Sequence, residues 1–241
     1  MKILSNLVRI FILMAYFAGL VGCVGLEPGY KSKKAKGSYV VQKGDTLYSI
    51  AFRYGMDYKS LAKMNGIKSP YTIYHDQKLS LKNVSLTPSS DSGPSASEIA
   101  PKKRKKKNAK VSKKRRAKSL DWGWPLRGEV LNTFSLSQPM NKGIDIAGKE
   151  GSPVFAAADG DVVYAGGNLR GYGKLVILKH EGDYLSAYGN NEEILVKEGD
   201  AVLNGSVISK VGRSTSGEEL LHFEIRRDGK PINPLKFLPA K

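Results

Sequence analysis

A chain of 241 residues, 41% of them hydrophobic, is long enough to bury one large core or two small ones. Its single cysteine excludes an internal disulfide framework. The formal net charge of +17 suggests a polyanion partner, yet twelve of the seventeen residues in KKRKKKNAKVSKKRRAK (102–118) are Lys or Arg, whereas 121–241 carries 14 basic and 16 acidic residues. The basicity therefore belongs to one segment, and that segment lacks the interleaved aromatics of a nucleic-acid module, which argues against a nucleic-acid partner.

Residues 1–22, MKILSNLVRIFILMAYFAGLVG, set Lys2 and Arg9 before an apolar run from Ile10 to Val21. This is the layout of a secretory signal, and the run is short for a membrane span. LVGC, with the small Gly22 before Cys23, resembles a bacterial lipobox. The resemblance implies cleavage before Cys23 and lipidation of that residue, and several acyl chains make such anchoring stable. Val24, rather than Asp, resembles the outer-membrane address of Gram-negative lipoproteins, placing the chain on the periplasmic face. Residues 23–37 then form a lipidated tether.

In 38–82, SYVVQ has the β-branched character of a strand, and Asp45 or Thr46 can cap a helix in GDTLYSIAFRYG, where Leu47, Ile50 and Ala51 recur at helical spacing. DYKSLAKMNG predicts a second helix capped by Asp57 and stopped by Gly66, and KLSL predicts a closing strand. GDTLYSIA, LAKMNGI and IYHDQKLSL in this order resemble a LysM domain, a small βααβ module that binds N-acetylglucosamine-containing glycans such as peptidoglycan. The resemblance implies a sugar groove between Gly44, Asp45 and Thr46 on one loop and Pro70, Tyr71, Thr72 and Ile73 on another. Gly44 to Thr46 equally serve to cap the helix. Asp76 departs from the family, which commonly has Gly there.

Residues 83–119 contain LTPSSDSGPSASEIAPKK and the basic run, with no apolar period, and are expected to be a disordered linker that lets two domains reach different targets. On an exported protein, a partner for 102–118 would be an anionic lipid or an acidic envelope polymer.

From 120 to 241, short runs such as DVVYA, KLVILKH and YLSAYG alternate with Gly, Asn and Asp turns, which predicts an all-β domain. The segment resembles the lysostaphin/LytM-type metallopeptidases, antiparallel-sheet enzymes that cut peptidoglycan cross-links. Their pattern is His-x-x-x-Asp, a histidine after a Tyr-x strand end, and His-x-His on a later strand. By that resemblance zinc is held by the first His, the Asp and the last His, while the other two histidines polarise water and stabilise the oxyanion. A catalytic zinc needs three protein ligands, an open position and a group poised for proton transfer.

Here NKGID places Asn141 at the first ligand position and Asp145 at the carboxylate; YGN places Asn190 at one catalytic position, and LLH places Leu220 at the other while keeping His222. Neither an asparagine amide nor a leucine acts as a base. His75 belongs to the LysM segment, and His180 lies on a strand outside the motif. A non-enzyme with no metal and no cofactor is therefore expected, with Asp145 and His222 left as a hydrogen-bonded pair.

Lipobox, LysM and this last domain together resemble NlpD-type lipoproteins. The resemblance implies an activator of periplasmic N-acetylmuramyl-L-alanine amidases in septal wall splitting and daughter-cell separation. The amidase would seat on the old substrate groove, bordered by Asn141, Asp145, Arg170, Tyr172, Tyr188, Asn190, Leu220 and His222. Arg170 and Tyr172 equally suit an ordinary turn. Two alternatives share these residues: a zinc metallo-endopeptidase with a rearranged site, and a cell-wall tether with an inert C-terminal domain.

Overall fold

The computed structural model describes residues 37–82 and 120–240. The signal segment, Cys23, the tether and the linker with its basic run lie outside the described residues.

The first described segment runs β1 (Ser38–Val40), α1 (Leu47–Tyr54), α2 (Tyr58–Met64) and β2 (Lys78–Ser80), with β1 and β2 antiparallel. Of the two expected caps it is Thr46 that starts α1, in a reciprocal capping box: its hydroxyl accepts from the Ser49 amide while the Ser49 hydroxyl accepts from the Thr46 amide, both at 3.0 Å. Asp57 caps α2 through the Ser60 amide at 2.8 Å. Leu47, Ile50, Leu61 and Leu79 close a small core beneath the two helices. Asp76 has φ 64°, a left-handed conformation that glycine takes freely and that Asp tolerates better than most residues, so the turn keeps its shape.

The second segment is all-β, with only two short 3-10 turns among its described residues. Its sheet orders β3 (Val130–Asn132), β4 (Ile144–Ala147), β11 (Leu220–Arg227), β8 (Tyr184–Ile194), β7 (Lys174–Lys179), β6 (Gly160–Gly166) and β9 (Ala201–Val202). β10 (Val207–Val211) joins β5 (Pro153–Phe155) to β8, and β12 (Lys230–Ile232) flanks β11; every pairing is antiparallel.

Strand alternation divides the side chains between two faces. Leu221, Phe223 and Ile225 of β11, Val176 and Leu178 of β7 and Tyr188 of β8 point into the main core. The opposite face carries Leu220, His222, Glu224 and Arg226 of β11, with Leu185 and Ala187 of β8 and Leu175 and Ile177 of β7 beside them.

That second face is not left to solvent. Phe52 of α1, only 2% exposed, packs on it among Tyr164, Leu169, Tyr172, Leu175 and Ile177. Burying one phenylalanine contributes roughly 2 kcal/mol. Thr46 Oγ1 also donates to the Val163 carbonyl at 3.0 Å, and Lys59 pairs with Asp183 at 2.5 Å. The α1 side of the first domain thus contacts the second through Thr46, Phe52 and Lys59. The physical reason is an apolar sheet face that needs a cover, and Phe52 supplies part of it.

Candidate functional site

The site is assembled at the junction of β4 and β11, where Asp145 and His222 are direct cross-strand partners. The approach is close: a Cβ on Gly143 would stand 2.1 Å from the Phe223 carbonyl oxygen, so only glycine lets the loop carrying Asn141 lie against β11. Asn141 donates from Nδ2 to Asp145 Oδ2 at 3.1 Å, and its Oδ1 accepts from the Gly143 amide at 3.2 Å. Asp145 Oδ1 meets His222 Nδ1 at 2.6 Å, and His222 Nε2 meets Glu224 Oε1 at 3.2 Å.

The chain of contacts continues down the same strand. Glu224 Oε1 accepts from the Tyr172 hydroxyl at 2.8 Å and Oε2 from Arg226 Nε at 2.7 Å. Arg226 also donates to the Tyr172 hydroxyl at 3.1 Å and to the Phe52 carbonyl at 2.7 Å, and its guanidinium lies 3.4 Å from the centre of the Phe52 ring. Two carboxylates alternate with two cations, so the buried row is close to neutral. It leads from Asp145 to α1 of the first domain.

Charge in this row is set by its neighbours. Burial opposes a positive His222, but its hydrogen bonds to Asp145 and Glu224 outweigh that and push the imidazole up to about 9. Burial likewise opposes an ionised Glu224, yet Arg226 and His222 hold its carboxyl down at about 2. Both ring nitrogens of His222 therefore face carboxylate oxygens, Nδ1 toward Asp145 and Nε2 toward Glu224. Among the described residues no group of three His, Cys, Asp or Glu side chains is arranged to hold a metal ion. Of the three ligand positions that the resemblance implies, Asp145 and His222 are bonded to each other and Asn141 presents an amide that donates to the carboxylate, a donor set poorer than the three ligands a zinc site takes.

The remaining expected groove residues are spread unevenly. Asn190 sits at φ 61°, 9% exposed, where β8 bulges against β7, and its backbone amide donates to the Tyr172 carbonyl at 2.8 Å. Leu220 is 3% exposed and pairs with Ala147. Arg170 is exposed in the turn after β6, and Tyr172 is largely buried with its hydroxyl in the ionic row. Tyr188 does not border the groove. It pairs with Phe223 in register, shares the core face, is fully buried, and its hydroxyl accepts from the Ala157 amide at 2.8 Å. Parity along the strand, opposite to that of Ala187, sends it inward.

Glu224, Arg226 and Phe52 were not foreseen from the sequence. A signal for the first two exists: His222, Glu224 and Arg226 alternate with Phe223 and Ile225 in HFEIR, marking one polar face of one strand. Of the expected glycan residues, Gly44 lies against Asn168, Asp45 is engaged by Tyr39 and Arg53, and Thr46 donates to the Val163 carbonyl. Pro70 and Tyr71 line an open cleft, while Thr72 is exposed and Ile73 packs on the small core.

Residues 39–82 match the LysM domain family, and residues 139–234 match peptidase family M23. A Pseudomonas aeruginosa protein described as a lipoprotein NlpD/LppB homolog is 42% identical over 231 residues, covering 85% of this chain and 78% of the relative. The uncharacterized lipoprotein YgeR of Escherichia coli is 38% identical over 227 residues, covering 92% of this chain and 89% of its own. The murein hydrolase activator NlpD of Escherichia coli is 36% identical over 265 residues, with 88% and 70% covered. A LysM domain followed by an M23 domain, at this identity and over this much of both chains, places the chain in the NlpD/LppB lipoprotein family.

Proposed function

We propose that this chain is a peptidoglycan-binding lipoprotein that activates a periplasmic N-acetylmuramyl-L-alanine amidase and hydrolyses nothing itself. The observation that carries the reading is the grip of Asp145 and Glu224 on the two nitrogens of His222. With both ring nitrogens engaged by carboxylates and an amide at Asn141, the set offers fewer than three metal ligands, and Asn190 and Leu220 supply no base. The murein hydrolase activator named among the relatives supports the same direction.

The amidase would seat on the face that carries Asn141, Asp145, Arg170, Tyr172, Asn190, Leu220 and His222. An activator works only by binding the open state of its partner more tightly than the closed one. Lipidation at Cys23 would hold the chain to the outer membrane, and the LysM domain would hold it to the wall, at the septum where amidases act. The relatives' description as lipoproteins supports the anchor.

The test is dye release from labelled peptidoglycan by residues 24–241, alone and with a periplasmic amidase of the same cell, with and without a chelator in the protein-alone arm. The expected result is no release alone and strong stimulation of the amidase. Chelator-sensitive release by the protein alone would overturn the reading.

A further inference from the structure

The LysM domain offers two loops, and the structure treats them differently. The first is spoken for. The Asp45 carboxylate takes the Tyr39 hydroxyl at 2.5 Å, the Gln42 amide at 2.9 Å and Arg53 at 3.1 Å. The Thr46 hydroxyl accepts from Ser49 and donates to Val163, and the Lys43 carbonyl accepts from Asn168 Nδ2 at 3.1 Å. That same amide lies 2.6 Å from where a Cβ on Gly44 would stand. A sugar entering between the two LysM loops would have to displace the M23 domain.

The second loop faces open space. Ser69, Pro70 and Tyr71 stand across from Lys179 to Asp183 of the M23 domain, and a cleft of about 460 Å³ lies between them. One wall is aromatic: Tyr71 meets Tyr58 and Tyr48 edge-on at 5.4 and 6.0 Å, and Tyr48 and Tyr58 lie 4.5 Å apart. The other wall is polar and carries both signs of charge, with Glu181 exposed beside the Asp183–Lys59 pair. Tyr71 at φ 67° and Asp183 at φ 64° hold non-glycine residues in the left-handed region, one on each side of the cleft. Such conformations persist where surrounding structure demands them and cluster at binding sites.

We infer that the LysM and M23 domains together form one binding site for an N-acetylhexosamine glycan, in the cleft between Ser69–Tyr71 and Lys179–Asp183. At about 460 Å³ the cleft lies within the roughly 300 to 1,000 Å³ range of ligand pockets. The partly exposed Tyr71 and Tyr48, backed by the buried Tyr58, offer apolar contact to a pyranose ring, and the charged rim supplies donors and acceptors for hydroxyl and acetamido groups. The inference rests on the peptidoglycan-binding reading and adds that the M23 domain builds half of the site.

Residues 24–241 would be titrated with an N-acetylglucosamine tetramer, following backbone amide shifts and the heat of binding. The expected result is shifts on both walls, at Tyr71 and at Glu181–Asp183, with Gly44–Thr46 unmoved. Glu181→Trp, at an exposed position, should fill the cleft and weaken binding at least tenfold while leaving the unfolding midpoint unchanged; Asp183→Asn, which keeps the backbone conformation, should weaken it several-fold. Normal binding by both variants, or shifts confined to the LysM domain and including Gly44–Thr46, would overturn the shared site while leaving glycan binding intact. No binding by the parent chain would remove the peptidoglycan-binding reading itself.

Discussion

The proton on His222 is the most direct handle on the ionic row. In the folded chain its imidazole is pushed up to about 9 from an ordinary 6.5, and its side chain is only 17% exposed. A gap of about 2.5 pH units at about 1.36 kcal/mol per unit is worth about 3 kcal/mol of folding stability. Because the folded state holds the proton more tightly, this contribution is complete below about pH 6.5 and is lost as pH rises through 9. Urea unfolding of the parent chain and of His222→Gln at pH 6.5, 8 and 9.5 should show the difference between them shrinking by about 3 kcal/mol. A ring-proton titration should place the imidazole midpoint near 9. With one carboxylate and one imidazole at the ligand positions and an amide at Asn141, dialysis against micromolar zinc should leave the protein substoichiometric. A midpoint near 6.5, or parallel loss of stability in parent and variant, would refute the reasoning.

Phe52→Ala should cost about 3 kcal/mol or more, as for a buried aromatic, up to the limit set by undocking of the LysM domain; the check is the thermal unfolding of the M23 domain, whose midpoint should fall by several degrees. If that midpoint is unmoved, the shared cluster of Phe52, Tyr164 and Ile177 is not formed in solution. Glu224→Gln should cost about 3–5 kcal/mol in urea unfolding, because it leaves Arg226 buried with its charge partner gone, and adding Arg226→Met should recover part of the loss. His180, 2% exposed, is held down at about 4 by burial, so its neutral form stabilises the fold fully above pH 6.5 and that contribution fades as pH falls toward 4. His180→Gln should flatten this limb of the stability profile. Arg170→Glu, at an exposed turn, should lower amidase stimulation at least fivefold without changing the unfolding midpoint.

What the sequence disclosed was local. Thr46 and Asp57 stand next to the helices they cap, and the continuous apolar, β-branched run in KLVILK marks its strand, so those elements needed no distant information. Asp145 and His222 were legible as a pair because a motif carries their spacing. Contacts across long sequence separations were not legible: Arg226 reaches the Phe52 carbonyl over 174 residues, and nothing in AFRYG says that its phenylalanine leaves the small core for another domain. Tyr188 was misplaced for a simpler reason. Tyr188 stands on β8 with parity opposite to Ala187, so the two side chains lie on opposite faces.

Arg226 ties the two domains together in inheritance as well as in space. Its guanidinium is matched to one carboxylate on its own strand and to the ring and carbonyl of one phenylalanine on α1. A LysM domain grafted from a chain with a polar residue at position 52 would fold by itself and still leave that cation facing an unsuitable neighbour. Modules joined in this way are expected to recombine poorly across the family, and positions 52, 172, 224 and 226 to drift only in concert.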